Sequence, residues 1–91
     1  MKYYHFRQNN SGGEFDVTPT LNVNVIIKAA TAIEANTKLE ELGGYFDGVS
    51  EGLDCECCGD RWYRVSENDV SETPQCYGHD ATTMSDCIIH E

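Results

Sequence analysis

"LNVNVIIKAATAIEANTKLEELGG", residues 21–44, reads as a strand running straight into a helix, and this unit decides the fold. Successive strand side chains point to opposite faces. Leu21, Val23, Val25, Ile27 and Ala29 therefore share one face, with Asn22, Asn24 and Lys28 on the other. Ile26 interrupts the polar face, so that side is expected to be partly covered too. The period then changes. Thr31 and Glu34 make an S/T-x-x-E capping box, and Ala32, Ala35, Leu39 and Leu42 recur at helical steps, giving one buried stripe. Glu34 and Lys38 stand four apart in the favourable order. Gly43 and Gly44 end the helix, since glycine readily takes the left-handed cap.

Upstream, "KYYHFRQ" (residues 2–8) alternates as a strand, with Tyr4 and Phe6 on one face and Tyr3, His5 and Arg7 on the other. "NNSGGEFD" is a loop by its turn residues, and Pro19 limits where the next strand begins. Downstream, "RWYRV" (residues 61–65) reads as a short strand, "SENDVSETPQCYGHD" as loop, and "DCIIHE" as an edge strand open to pairing with a second copy. The expectation is an α+β fold: a small antiparallel sheet of about four strands in β-β-α-β-β order, with one helix packed on one face. A chain of 91 residues has room for a single domain, 1–91. Such a domain buries only roughly 60% of its unfolded surface, so a staple or a partner is a natural supplement.

Charge narrows the function classes. Sixteen acids oppose six bases, for a net charge of −10. Phosphate backbones are bound by Lys and Arg, so nucleic-acid binding is not expected. No apolar run approaches the ~20 residues of a membrane span, and "MKYYHFRQNN" lacks a signal peptide's apolar core; a cytoplasmic protein is expected. The acids Asp47, Glu51, Glu67 and Asp69 fall in the most acidic window, which also holds Arg61, Trp62, Tyr63 and Arg64. Trp, Tyr and Arg dominate contact hot spots. This set is the candidate partner surface, with one of Trp62 and Tyr63 facing out.

The chemistry is densest in "DCECCGDRWYR" (residues 54–64). Cys55-x-x-Cys58-Gly has the form of a zinc knuckle. Cys76-x-x-His79 would complete a four-ligand structural Zn²⁺ site with the spacing C-x₂-C-x₁₇-C-x₂-H. Cys57, Cys87 and His90 are alternative ligands. Competing explanations are thiols packed as small hydrophobes and disulfide or redox chemistry. A catalytic thiol is disfavoured because Asp54, Glu56 and Asp60 oppose thiolate formation. Asn9, Asn10, Ser11, Gly12 and Gly13 could instead offer amides to an anionic small molecule beside Arg61 and Arg64. A minor thiol- or metal-dependent enzyme is a third alternative.

The runs "YYHFRQNNSGG", "VNVIIKAATAIEAN" and "YFDGVSEGLDCECCGDRWYRV" together resemble a family of small proteins encoded by tailed bacteriophages. The resemblance implies a bacterial cytoplasm during infection as the setting. It also implies a role in handling the host, for which a defence or nucleic-acid-handling factor is the expected kind of target.

Overall fold

The computed structural model describes residues 2–10 and 13–91. Strand β1 (Lys2–Arg7) and strand β2 (Asn24–Ala29) pair antiparallel, with Tyr4 opposite Ile27 and Phe6 opposite Val25. Helix α1 (Ala32–Glu41) follows β2 at once. Thr31 accepts the Glu34 amide through its side chain, as the capping sequence requires. A further helix-start donor has a distant acceptor: the Glu67 carboxylate takes the Ala32 amide at 2.5 Å and the Tyr4 hydroxyl at 3.0 Å. One acid thus satisfies a helix-start donor and a buried phenol together. The end of α1 also follows the sequence, with Gly43 at φ +110°.

Tyr4, Phe6, Val25, Ile27 and Ala29 pack against Ala32, Ala35 and Leu39 of α1, joined by Leu21, Phe46 and Trp62. Ile26 faces the other way and is fully buried among Cys76, Ala81, Met84 and Cys87. β2 is therefore covered on both faces, as the break at Ile26 suggested.

The far layer comes from the C-terminal third. Strand β3 (Val70–Ser71) pairs with β1, and strands β4 (Gln75–Cys76) and β5 (His79–Asp80) form a separate two-stranded ribbon. Tyr77 and Gly78 both take positive φ, at +53° and +83°, the backbone of a two-residue type I′ hairpin. "SENDVSETPQCYGHD", expected as loop, thus contains three short strands. Strand β6 (Cys87–His90) completes the main sheet, whose order is β3-β1-β2-β6.

Two further expectations need correcting. The sheet is mixed, because β6 lies at the edge as expected but runs parallel to β2. Alternation of side chains carries no strand direction; here it is set by the ribbon and the short turn at Ala81–Thr83 that deliver the chain to Asn24, whose amide donates to the Asp86 carbonyl. Residues 61–65 form no strand and belong to no ladder. The Asn36 side chain of α1 bonds both the amide and the carbonyl of Val65, and the Asn9 amide bonds the Arg61 carbonyl. A helix side chain stands where a neighbouring strand was expected.

Candidate functional site

The segment carrying the cysteines is held by acids that point inward. The Asp54 side chain is wholly buried; it accepts from the Tyr45 hydroxyl at 2.7 Å and the Arg61 amide at 2.8 Å, and lies 3.8 Å from the Arg61 guanidinium. Arg61 reaches on to the Gln8 side chain and the Glu14 carbonyl, at 2.9 and 2.7 Å. Burial and the Asp54 carboxylate push the Tyr45 hydroxyl pKa up. Asp60 accepts the Val49 amide at 2.8 Å. Backbone crowding is part of this clamp: a methyl group on Gly48 would sit 1.8 Å from an Asp54 carboxylate oxygen.

Between these anchors the chain folds into a tight turn. The amides of Cys58 and Gly59 both donate to the Cys55 carbonyl, and Gly59 takes φ +85°, a conformation that side chains disfavour. Asn9, two residues past the end of β1, grips the turn, donating to the carbonyls of Cys58 and Asp60 at 2.6 and 3.1 Å. Cys55, Cys57 and Cys58 are exposed, and their sulfurs lie within 4.8 Å of one another. Among the described residues this is the one group of three or more ligand atoms so close together, a cluster that could hold a metal ion. Hydrogen bonds from the thiols and backbone amides of Cys57 and Cys58 lower the pKa of Cys55; the neighbouring sulfurs push Cys57 up to about 11.

The four ligands expected from sequence spacing divide between two places. Cys55 and Cys58 belong to the turn, whereas Cys76 is buried against Ile26 and Ala81 with its sulfur 3.7 Å from that of Cys87. Burial raises the pKa of both, Cys87 to about 12; these two are packed thiols. His79 is exposed in the ribbon opposite Cys76, and His90 is tied to the Thr20 carbonyl at 2.8 Å. Neither joins the cysteine cluster.

The candidate partner residues also separate. Trp62 is 1% exposed and belongs to the core, and Arg61 is committed to the buried clamp, so neither is presented to a partner. Glu67 is spent on Ala32 and Tyr4, and Asp69 accepts from the Ser66 amide. Tyr63 is the outward aromatic, 55% exposed. Beside it Arg64 makes a two-point pair with Asp47, at 2.9 and 3.2 Å, and lies over the Phe46 ring. The guanidinium holds the Asp47 carboxyl below its usual pKa. Arg64 also feels the carboxylates of Glu40 and Asp60. Glu51 is exposed. Glu40 at the end of α1 was not foreseen, since nothing local in the sequence brings it to Arg64.

A groove of about 570 Å³ opens beside Tyr63 and Arg64 and takes in His5, Arg7, Asn9, Asn10 and Phe15. It joins part of the expected anion loop to the expected contact residues. Gly13 is exposed at φ +85°, while Ser11 and Gly12 lie outside the described residues. Arg7 lies 5.5 Å from the centre of the Phe15 ring. No helix among the described residues is long and apolar enough to cross a membrane.

No curated protein matches the chain, and no solved structure does. A family described as a domain of unknown function (DUF7296) matches over residues 1–91, and the chain belongs to that family.

Proposed function

We propose that this protein is a non-enzymatic binding protein that attaches through its acidic surface to a basic surface of another protein and inhibits or redirects it. One observation carries the reading: an exposed tyrosine–arginine pair stands within a field of carboxylates. Tyr63 and Arg64 supply contact area, while Asp47 pairs with the guanidinium and the charges of Glu40 and Asp60 act on it, on a chain of net charge −10. Such a field steers a positively charged partner at encounter, and Tyr and Arg side chains anchor it. The phage resemblance supplies the setting of a bacterial cytoplasm during infection. A host defence or nucleic-acid-handling factor, whose basic site ordinarily holds a polyanion, has the complementary charge. In this proposal zinc belongs to the cysteine turn alone and is not what holds the body together.

The test is capture from bacterial lysate on immobilised protein at low salt. A discrete protein should be retained and then released by moderate salt, because exposed charges are screened over about 8 Å at physiological ionic strength. Retention of nothing above a blank matrix defeats the proposal.

A second reading has its own observation, the groove in which Arg7, Asn9, Asn10 and Arg64 meet Phe15 and Tyr63. Its volume and mixture of rings and cations suit an anionic aromatic molecule such as a nucleotide. Native mass spectrometry of protein taken directly from cells would then show a carried mass, lost in an Arg7→Ala variant.

A further inference from the structure

We propose that Cys55, Cys57 and Cys58 form a three-thiolate site for a thiophilic divalent cation of the zinc type, with a fourth coordination position open to an external ligand. The inference rests on placing zinc at this turn and not on partner binding, so either can fail without the other.

Geometry is the first support. A tetrahedral zinc with Zn–S bonds of about 2.3 Å separates its sulfurs by about 3.8 Å. The Cys57 and Cys58 sulfurs are 3.8 Å apart, and those of Cys55 and Cys57 are 2.9 Å apart. The second pair has to open by about 1 Å on metal binding. Rotation of two exposed thiols about their Cα–Cβ bonds supplies that, and the backbone need not move.

Preorganisation is the second, independent support. The three thiols are carried by four consecutive residues, 55–58. The turn holding them is fixed by its own hydrogen bonds to the Cys55 carbonyl and by Asn9. It hangs from the buried Asp54–Arg61 clamp. The ligand backbone is thus positioned by parts of the protein that need no metal.

Exposure and charge then set the kind of site. All three cysteines face solvent, and Cys76 and His79 lie elsewhere, so the protein does not close the coordination sphere itself. Zinc with three protein ligands and one exchangeable position differs from a closed structural site, which takes four. Three thiolates with a monovalent ion such as Cu(I) would leave two negative charges; a divalent ion leaves one. With Glu56 within the turn and Asp54 and Asp60 flanking it, the divalent ion is the better match. On binding, each thiol that is still protonated releases its proton to solvent.

The experiment titrates Co²⁺, as a spectroscopic stand-in for zinc, into reduced, metal-stripped full-length protein. One equivalent should produce thiolate-to-cobalt charge-transfer absorption, and zinc should displace it. Added imidazole should shift the cobalt d–d bands by entering the open position. Cys57→Ser should weaken binding by roughly a hundredfold or more, beyond the loss typical of an outer-shell change. Cys76→Ser should bind as the wild type does. If Cys57→Ser fails to fold, thiol alkylation of the wild type decides instead: zinc should protect Cys55, Cys57 and Cys58 from labelling. The proposal is overturned by wild-type protein that binds no stoichiometric cobalt, by an intact Cys57→Ser variant of undiminished affinity, by alkylation that zinc does not slow, or by d–d bands that imidazole leaves unchanged.

Discussion

Replacing Arg61 by leucine is the sharpest perturbation of this structure. The side chain is only 15% exposed and faces an Asp54 carboxylate with no exposure at all. The change removes the guanidinium from Asp54, Gln8, Glu14 and the Tyr45 hydroxyl. It leaves a buried carboxylate with two remaining donors, the Tyr45 hydroxyl and the amide of residue 61. Breaking a buried pair from one side costs about 3–5 kcal/mol. The two surviving hydrogen bonds place this case at the lower end, about 3 kcal/mol. A domain of this size stands only about 5–13 kcal/mol above its unfolded state. Each kcal/mol moves its melting temperature by about 4–8 °C, so the midpoint should fall by roughly 12 °C or more. Arg64→Leu is the internal control. Arg64 and Asp47 are each more than half exposed, and such pairs contribute about 0–1 kcal/mol. Thermal unfolding followed by circular dichroism at pH 7 and physiological salt compares them directly. Equal midpoints for the two variants, or an Arg61→Leu shift below about 4 °C, would refute the clamp.

Three further outcomes follow from particular contacts. Gly48→Ala pushes a methyl group into the Asp54 carboxylate and should destabilise by about 3 kcal/mol, the upper range for overpacking, read from denaturant midpoints. Glu67→Ala strips the Ala32 amide and the Tyr4 hydroxyl of their acceptor and should cost about 1–3 kcal/mol, visible in the same assay. His5 has its pKa lowered from 6.5, chiefly by burial and further by Arg7, against a raising hydrogen bond from Asn24. The unfolded chain therefore takes up this proton first on acidification. His5 adds little pH dependence well above 6.5, and stability falls as pH drops through 6.5 toward the lowered folded value; His5→Gln should flatten that part of a melting-temperature profile.

Much of the fold was written in local pattern. The alternation of residues 21–29 and the helical stripe that follows gave the strand, which begins only at Asn24, and the helix with its Thr31 cap and glycine end. Ile26, out of step with its polar neighbours, announced the second covered face. What the sequence hid was non-local. Period-two alternation says that one of Trp62 and Tyr63 faces out, and the structure makes it Tyr63, yet alternation cannot say that Asn36, on a helix, meets the Val65 backbone. Nor does it say that β6 joins β2 in parallel. The cysteine spacing was legible as a tight turn, but ligand spacing says nothing of burial. Cys76 is taken up by packing under Ile26, which separates it from the ligand set that its spacing to His79 suggested. The acids misled in a similar way. Glu67 and Asp69 read as partner-surface charge and Asp54 and Asp60 as acids opposing the thiolates, but each holds a backbone amide.

The acidic surface is tested most directly by removing charge without touching the clamp. Glu40, Glu41 and Glu51 are exposed, and changing all three to glutamine deletes three negative charges. The measurement is the fraction of the lysate-captured protein retained by this variant, against the wild type at equal loading and low salt. The account predicts that retention drops steeply while the melting temperature stays within about 4 °C, since exposed substitutions of this kind rarely exceed about 0.5 kcal/mol. Undiminished retention by the folded variant would contradict it.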